Sequence, residues 1–147
     1  MTPIQPIEIV LDKPRKLLIN NMALYKTEAD INRLRYAKPE DYASIDVLMV
    51  DAFNHLFRAR GLLPMDLMLS MLVNGLIYEK GEKRLSLEEI AELIDNSESS
   101  RAELSGQVWA AYFNNAGKNL KFSDKIEDEE KKTESLQTGP LNGQSPE

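Results

Sequence analysis

The spacing of apolar and polar residues at the start of the chain predicts a β-hairpin. Residues 4–11 are rich in β-branched side chains and largely alternate in polarity, and residues 17–19 form a second short apolar run. Alternation with a period of two is typical of a strand with one buried face. Between the runs, residues 12–15 include Pro14, which favours a turn. We therefore predict a hairpin over residues 4–20, packed on the helices that follow because a lone hairpin is only marginally stable.

After the hairpin, apolar residues recur with the 3.6-residue period of amphipathic helices. We predict five helices: residues 22–34, residues 39–60, residues 64–80, a short helix behind the capping box of Ser86 and Glu89, and residues 99–117. The third is apolar nearly all round, which is typical of a central helix. The predicted core face is Tyr42, Ile45, Leu48, Met49, Ala52, Phe53 and Leu56 in the second helix, and Ala102, Val108, Trp109, Tyr112, Phe113 and Ala116 in the fifth.

The helical pattern stops near residue 120. Residues 121–147 contain a run of charged residues followed by glycines and prolines, with few apolar side chains to offset the entropy of ordering. We predict a single domain over residues 1–120 and a disordered acidic tail over residues 121–147. The predicted fold class is mainly α: an N-terminal β-hairpin, a compact bundle of about five helices and a disordered C-terminal tail.

Charge and composition narrow the classes of function. The formal net charge is −6, which argues against nucleic acid because phosphate neutralisation needs a basic surface. Cysteine is absent, so thiol catalysis and cysteine-ligated metals are excluded. No signal peptide is evident at the N-terminus, and no apolar run approaches the ~20 residues that span a bilayer. We expect a cytoplasmic protein that binds neither membrane nor nucleic acid.

The sequence contains few residues that could form a catalytic site. The single histidine, His55, follows Asp51 by four residues, so the two share one helical face. A histidine oriented by a carboxylate can act as a base, but no nucleophile accompanies this pair. An exposed surface pair is the simpler interpretation. We predict that the chain is not an enzyme and has no small-molecule substrate.

Two charged clusters raise the question of a bound ion. Glu88, Glu92 and Asp95 share one face of the predicted fourth helix, but a hard cation would need further oxygen ligands and no calcium-loop pattern is present. The basic residues within 80–84 lack the glycine spacing of a phosphate-binding loop. Solvated surfaces are the simpler interpretation for both clusters, so no metal or cofactor is predicted.

An apolar stripe on the second helix is the candidate site for a partner. Val47, Val50 and Phe57 lie beside the predicted core face of that helix and not within it. If the hairpin or the first helix covers these side chains, they belong to the core. If neither does, they form a surface for a partner protein or for self-association.

Several short motifs occur in a familiar order. The hairpin ends in residues 15–24, RKLLINNMAL, and the next helix carries Glu28. An apolar helix with residues 69–76, LSMLVNGL, precedes residues 85–95, LSLEEIAELID. Over residues 5–117 the chain resembles the tail assembly chaperones of long-tailed phages (siphoviruses), prophages and gene-transfer agents.

The resemblance implies a function in virion assembly. Members of this family bind the long tape-measure protein, keep it soluble while the tail assembles, and are absent from the finished particle. They are also expected to self-associate, and in many phages a longer form arises by ribosomal frameshifting. Two other functions remain open: a structural tail-completion or head–tail connector protein, and a small acidic regulator that binds another protein.

Overall fold

The computed structural model describes residues 3–119 of the chain. Within them the predicted fold class, mainly α with N-terminal antiparallel strands and five α-helices, is confirmed. The predicted tail, residues 121–147, lies outside the described residues. Residues up to Asn115 form one unit, and the packing described below concerns that unit. The elements are β1 (Ile7–Val10), β2 (Pro14–Leu17), α1 (Asn21–Arg35), a single 3-10 turn (Pro39–Asp41), α2 (Ile45–Asn54), α3 (Met65–Gly75), β3 (Leu76–Ile77), α4 (Leu87–Asn96) and α5 (Arg101–Asn119).

The N-terminal strands form an antiparallel sheet in the order β1-β2-β3. Ile7 pairs with Leu17, and Val10 pairs with Pro14, so the turn comprises residues 11–13 and the proline opens β2. The sequence placed that proline in the turn itself. The third strand was not predicted, because residues 76–77 were assigned to the end of the third helix. They pair instead with residues 16–17 of β2.

The close approach of β2 explains why α3 stops at Gly75. The carbonyl oxygen of Gly75 accepts a 2.8 Å hydrogen bond from the Leu18 amide. A Cβ atom at this glycine would lie 2.6 Å from Ile19 Cδ1 and 2.8 Å from Leu17 Cδ1. Only a residue without a side chain lets the strand pack this tightly on the helix. The predicted continuation of this helix to residue 80 is therefore wrong.

The predicted second helix is interrupted by contacts from α1. The side chain of Asn32 donates to the carbonyl oxygen of Ala43 at 2.8 Å and accepts from the amide of Ala43 at 2.7 Å. The Glu28 carboxylate accepts from the Ile45 amide at 2.7 Å and from the Tyr42 hydroxyl. These bonds hold residues 42–44 out of a helix, and Ser44 then caps α2 by accepting from the Val47 amide at 3.2 Å.

The same helix also ends earlier than the sequence predicts. It stops at Asn54, and residues 55–61 form turns. Arg60 and Gly61 both have positive φ, at 53° and 82°. The predicted left-handed conformation of Gly61 is therefore present, but it closes the turn segment and not a helix. Its amide donates to the carbonyl oxygen of Leu56 at 2.8 Å.

The core is built around α3, as its apolar sequence predicts. Leu67, Met68, Met71 and Leu72 are at most 1% exposed. In α5 the buried stripe differs from the predicted one, since Ala102 and Phe113 are exposed. In the second predicted helix, Tyr42 and Phe53 are exposed as well. The side chains that α5 buries are Leu104, Ser105, Val108, Trp109, Ala111, Tyr112 and Asn115.

Two ion-paired contacts join elements that are distant in the sequence. Arg35 at the end of α1 forms a bidentate pair with Asp66 in the first turn of α3, at 2.6 and 2.7 Å. The buried guanidinium of Arg15 contacts Asp12 at 2.8 and 3.0 Å and Glu82 at 2.9 Å. The second contact joins the hairpin to the loop after β3. The hydrogen bonds from each arginine lower the pKa of Asp66 and of Asp12.

Candidate protein-binding surface

Helix α2 buries one face and leaves an apolar stripe on the other. Ile45, Leu48, Met49 and Ala52 are buried against the rest of the unit. The predicted partner-binding residues all remain open: Val47 is 60% exposed, Val50 is 58% exposed and Phe57 is 92% exposed. Neither the hairpin nor α1 covers them, so burial within the described part of the chain does not account for these side chains. Their role in binding a partner stays a prediction.

The structure brings together two of these three residues. Val47 and Val50 line a shallow depression of about 370 Å³ together with Asp46, Asp51 and Asn54. All five residues lie on α2. Their side chains meet because residues three and four positions apart are neighbours on a helix. Phe57 is not part of this depression. It lies in the turn segment that follows α2.

An aromatic cluster extends the apolar stripe from α2 onto α5. Phe53 follows Val50 by one helical turn, and its ring meets the ring of Trp109 edge-on at 5.9 Å and that of Phe113 at 6.4 Å. Trp109 stacks on Phe113 with their centroids 5.6 Å apart. Phe53 is 50% exposed and Phe113 is 48% exposed, whereas Trp109 is almost covered. We call Val47, Val50, Phe53 and Phe113 the α2–α5 apolar surface.

The two phenylalanines of this surface were missed as site residues. Both were assigned to the core, since they fall on the apolar faces that periodicity predicts for their helices. Periodicity indicates which residues share a face, but it does not show how far the neighbouring helices extend over that face. The rings pack on each other and on Trp109 while keeping about half of their surface open. Aromatic side chains in this position are typical anchors of protein–protein contacts.

The electrostatics of the α2–α5 apolar surface are set by two carboxylates. Asp46 accepts a 3.4 Å hydrogen bond from the Tyr112 hydroxyl, and burial, followed by the charge of Asp46, raises the pKa of Tyr112. Asp51 lies 3.5 Å from His55, and both side chains are exposed. Within residues 3–119 no lysine or arginine lies within ion-pair distance of either aspartate. Within this part of the chain, the depression therefore carries negative charge with no lysine or arginine paired to it.

The two charged clusters considered in the sequence, the basic residues within 80–84 and the acidic residues of α4, do not form an ion-binding site in the described part of the chain. Arg84, from the basic cluster, donates to Asn74 at 2.6 Å, and Asn74 in turn donates to Asp30 at 3.0 Å. These bonds connect the loop before α4 to α3 and α1. Among residues 3–119, no three histidine, aspartate or glutamate side chains converge so that they could hold a metal ion. The α2–α5 apolar surface is thus the strongest candidate for a functional site.

Comparisons with other proteins do not assign a function to this surface. No family model, no curated protein and no solved structure matches the chain. None of the helices described within residues 3–119 is both long enough and apolar enough to cross a bilayer. The chemistry of the exposed residues therefore provides the basis for a proposed function.

Proposed function

We propose that this chain is a phage tail assembly chaperone that binds the tape-measure protein through the α2–α5 apolar surface. In this proposal it acts in the cytoplasm of the bacterial host, keeps its client soluble and is left out of the mature virion. The observation that carries the proposal is the exposure of Val47, Val50, Phe53 and Phe113 side by side on two helices. Contiguous exposed apolar side chains on a folded domain are typical of protein-binding sites.

The shape of the surface suits a chaperone better than an enzyme. It is shallow and lies along a helix, whereas small-molecule sites are concave and enclose most of their ligand. A shallow contact lets many short apolar segments of a long client bind and leave in turn. Half-exposed aromatic rings supply apolar area at low entropic cost, because each has only two side-chain torsions. Release, which assembly of the tail requires, remains possible because no segment of residues 3–119 closes over the depression.

Coexpression with the tape-measure protein encoded at the same locus tests the proposal. We expect the wild-type chain to raise the soluble fraction of the client and to copurify with it. Val47→Lys and Val50→Lys should lose most of this effect, because both change side chains that are at least 58% exposed and leave the core intact. Leu34→Lys is the matched control, since Leu34 is 52% exposed on α1. A client that stays equally insoluble with and without the chain would refute the proposal.

Purified particles separate this function from the structural alternative. A chaperone should be missing from finished virions, and mass spectrometry of tails would detect a structural component at stoichiometric amounts. If the chain is present in the particle, the tail-completion or connector function takes the place of the chaperone function. The coexpression result alone would not distinguish these two.

A further inference from the structure

The carboxylates around the depression indicate which chemistry a partner must bring. Asp46 and Asp51 flank Val47 and Val50 on the same face of α2. Among residues 3–119, the polar neighbour of Asp46 is a tyrosine hydroxyl at 3.4 Å and that of Asp51 is a histidine at 3.5 Å, and both contacts are weak. When an apolar partner covers the valines, water is removed from the two carboxylates, which then need a cationic group to compensate.

The length of the stripe indicates what kind of segment fits. Val47, Val50 and Phe53 follow each other at intervals of three residues, so the stripe runs for roughly 9 Å along α2 at 1.5 Å per residue. Two turns of a partner helix with apolar residues at i, i+3 or i+4, and i+7 match this length. Phe113 on α5 widens the stripe beside Phe53, with ring centroids 6.4 Å apart. A partner helix that lies along α2 can therefore contact both rings with its apolar side chains.

We propose that the α2–α5 apolar surface binds an amphipathic helix of a partner protein whose apolar stripe is bordered by lysine or arginine. The apolar residues of that helix cover Val47, Val50 and Phe53, and its cations pair with Asp46 and Asp51. This inference rests on the proposed protein-binding function and specifies the class of client. It predicts that a tape-measure segment held here is basic as well as apolar.

One symmetric pairing of two copies through this surface is disfavoured by charge. A twofold axis midway between Val47 and Val50 would set Asp46 of one copy against Asp51 of the other, since the two residues are equally far from that midpoint in the sequence. Two close pairs of like charge without a counter-ion oppose such a dimer. Self-association through this surface is therefore a competing outcome that the experiment must detect.

Designed peptides provide the probe. Three synthetic peptides of equal length and without tryptophan are compared. The first has a leucine stripe bordered by lysines, and the second has glutamates in place of the lysines. The third has the same residues as the first in scrambled order, so that the stripe is lost. Trp109 is the only tryptophan of the chain and stacks on Phe113, so its fluorescence reports occupancy of this surface. Calorimetry gives the affinity independently.

We expect the lysine peptide to bind about three- to tenfold more tightly than the glutamate peptide at low salt, which is the gain expected from two exposed ion pairs. The preference should shrink as salt screens the charges. Asp51→Lys should remove or reverse it. Asp95→Lys on α4 changes the net charge by the same amount and should leave the preference intact.

Four outcomes would overturn the inference. They are equal affinity for the lysine and glutamate peptides, equal affinity for the scrambled peptide, an equal effect of Asp51→Lys and Asp95→Lys, and binding by calorimetry without a change in Trp109 fluorescence. A wild-type dimer in sedimentation velocity that Val50→Lys dissociates would assign the surface to a second copy instead. Successful coexpression combined with any of these results would reject only the basic helix, whereas failed coexpression would reject the proposed function.

Discussion

The contact between Gly75 and β2 leads to the most direct test of the fold. Substituting alanine places a methyl group 2.6 Å from Ile19 Cδ1, 2.8 Å from Leu17 Cδ1 and 3.1 Å from the Leu18 carbonyl oxygen. The first two distances are shorter than carbon atoms tolerate, so both side chains must move. Ile19 and Leu17 are at most 1% exposed, so their terminal methyl groups must shift within a packed core.

These distances indicate how much Gly75→Ala should lower the free energy of unfolding. Adding a methylene-sized group to a packed core costs about 1–3 kcal/mol, and a strained hydrogen bond between Leu18 and Gly75 adds to this. Replacing glycine in a helix by alanine recovers roughly 0.5–1 kcal/mol. We expect Gly75→Ala to lower the free energy of unfolding by about 1–3 kcal/mol, since the strained hydrogen bond offsets much of that recovery.

Gly106 provides a matched control in α5. A Cβ atom at Gly106 meets nothing within 4 Å, so Gly106→Ala should raise the free energy of unfolding by roughly 0.5–1 kcal/mol. Urea titrations that follow Trp109 fluorescence and far-ultraviolet circular dichroism measure both variants. Coincident transitions justify a two-state treatment, and the slope with urea should stay constant.

The difference between the two variants is the decisive quantity. We expect it to be roughly 1.5–4 kcal/mol, with opposite signs of the two effects relative to wild type. If Gly75→Ala proves as stable as Gly106→Ala, β2 does not pack on the end of α3 as described. The explanation for the early end of that helix would then be wrong as well.

Two further predictions concern buried polar groups and an ion pair. The hydroxyl of Ser70 is buried and has no hydrogen-bond partner among residues 3–119, whereas that of Ser105 accepts from the Leu63 amide at 3.3 Å. Ser70→Ala should therefore leave the free energy of unfolding unchanged or raise it. Ser105→Ala should lower it by about 1–3 kcal/mol, because the Leu63 amide is left unpaired. Urea titrations that show equal effects of the two substitutions would contradict the hydrogen-bond assignment. The hydrogen bond from Arg35 lowers the pKa of Asp66, so its stabilisation is present above the unfolded pKa of about 3.9 and is lost as the pH falls through the folded pKa. The stability difference between wild type and Asp66→Asn should be largest at neutral pH and shrink below about pH 4, and a difference that grows on acidification would exclude this contribution.

The local features of the helices were predictable because their partners lie close in sequence. Asn20 caps α1 by accepting from the Ala23 amide at 2.8 Å. Ser86 and Glu89 form the capping box at the start of α4. These bonds span three residues, so the local sequence favours them, although it leaves Asn20 and Asn21 both open as the cap of α1. The apolar α3 was recognised as central for a similar reason, since its own composition makes it apolar nearly all round.

The ends of two helices depended on residues far away in the chain. The break before α2 arises because Asn32 and Glu28 bind the backbone at residues 43 and 45. Helix α3 stops where Gly75 meets residues 17–19. A periodic pattern of apolar residues continues through both places, so pattern alone predicts longer helices. Only the tertiary contacts offer the backbone better hydrogen-bond partners than the next helical turn would.

The candidate surface also combines features that local sequence determines with features that only tertiary packing determines. The position of Val47 and Val50 beside the core face of α2 was readable from the sequence, because helical geometry decides which residues share a face. That Phe53 and Phe113 join them was decided by the meeting of α2 and α5 around Trp109. Local spacing determines the direction of a side chain, but only the packing of distant elements determines whether it is covered.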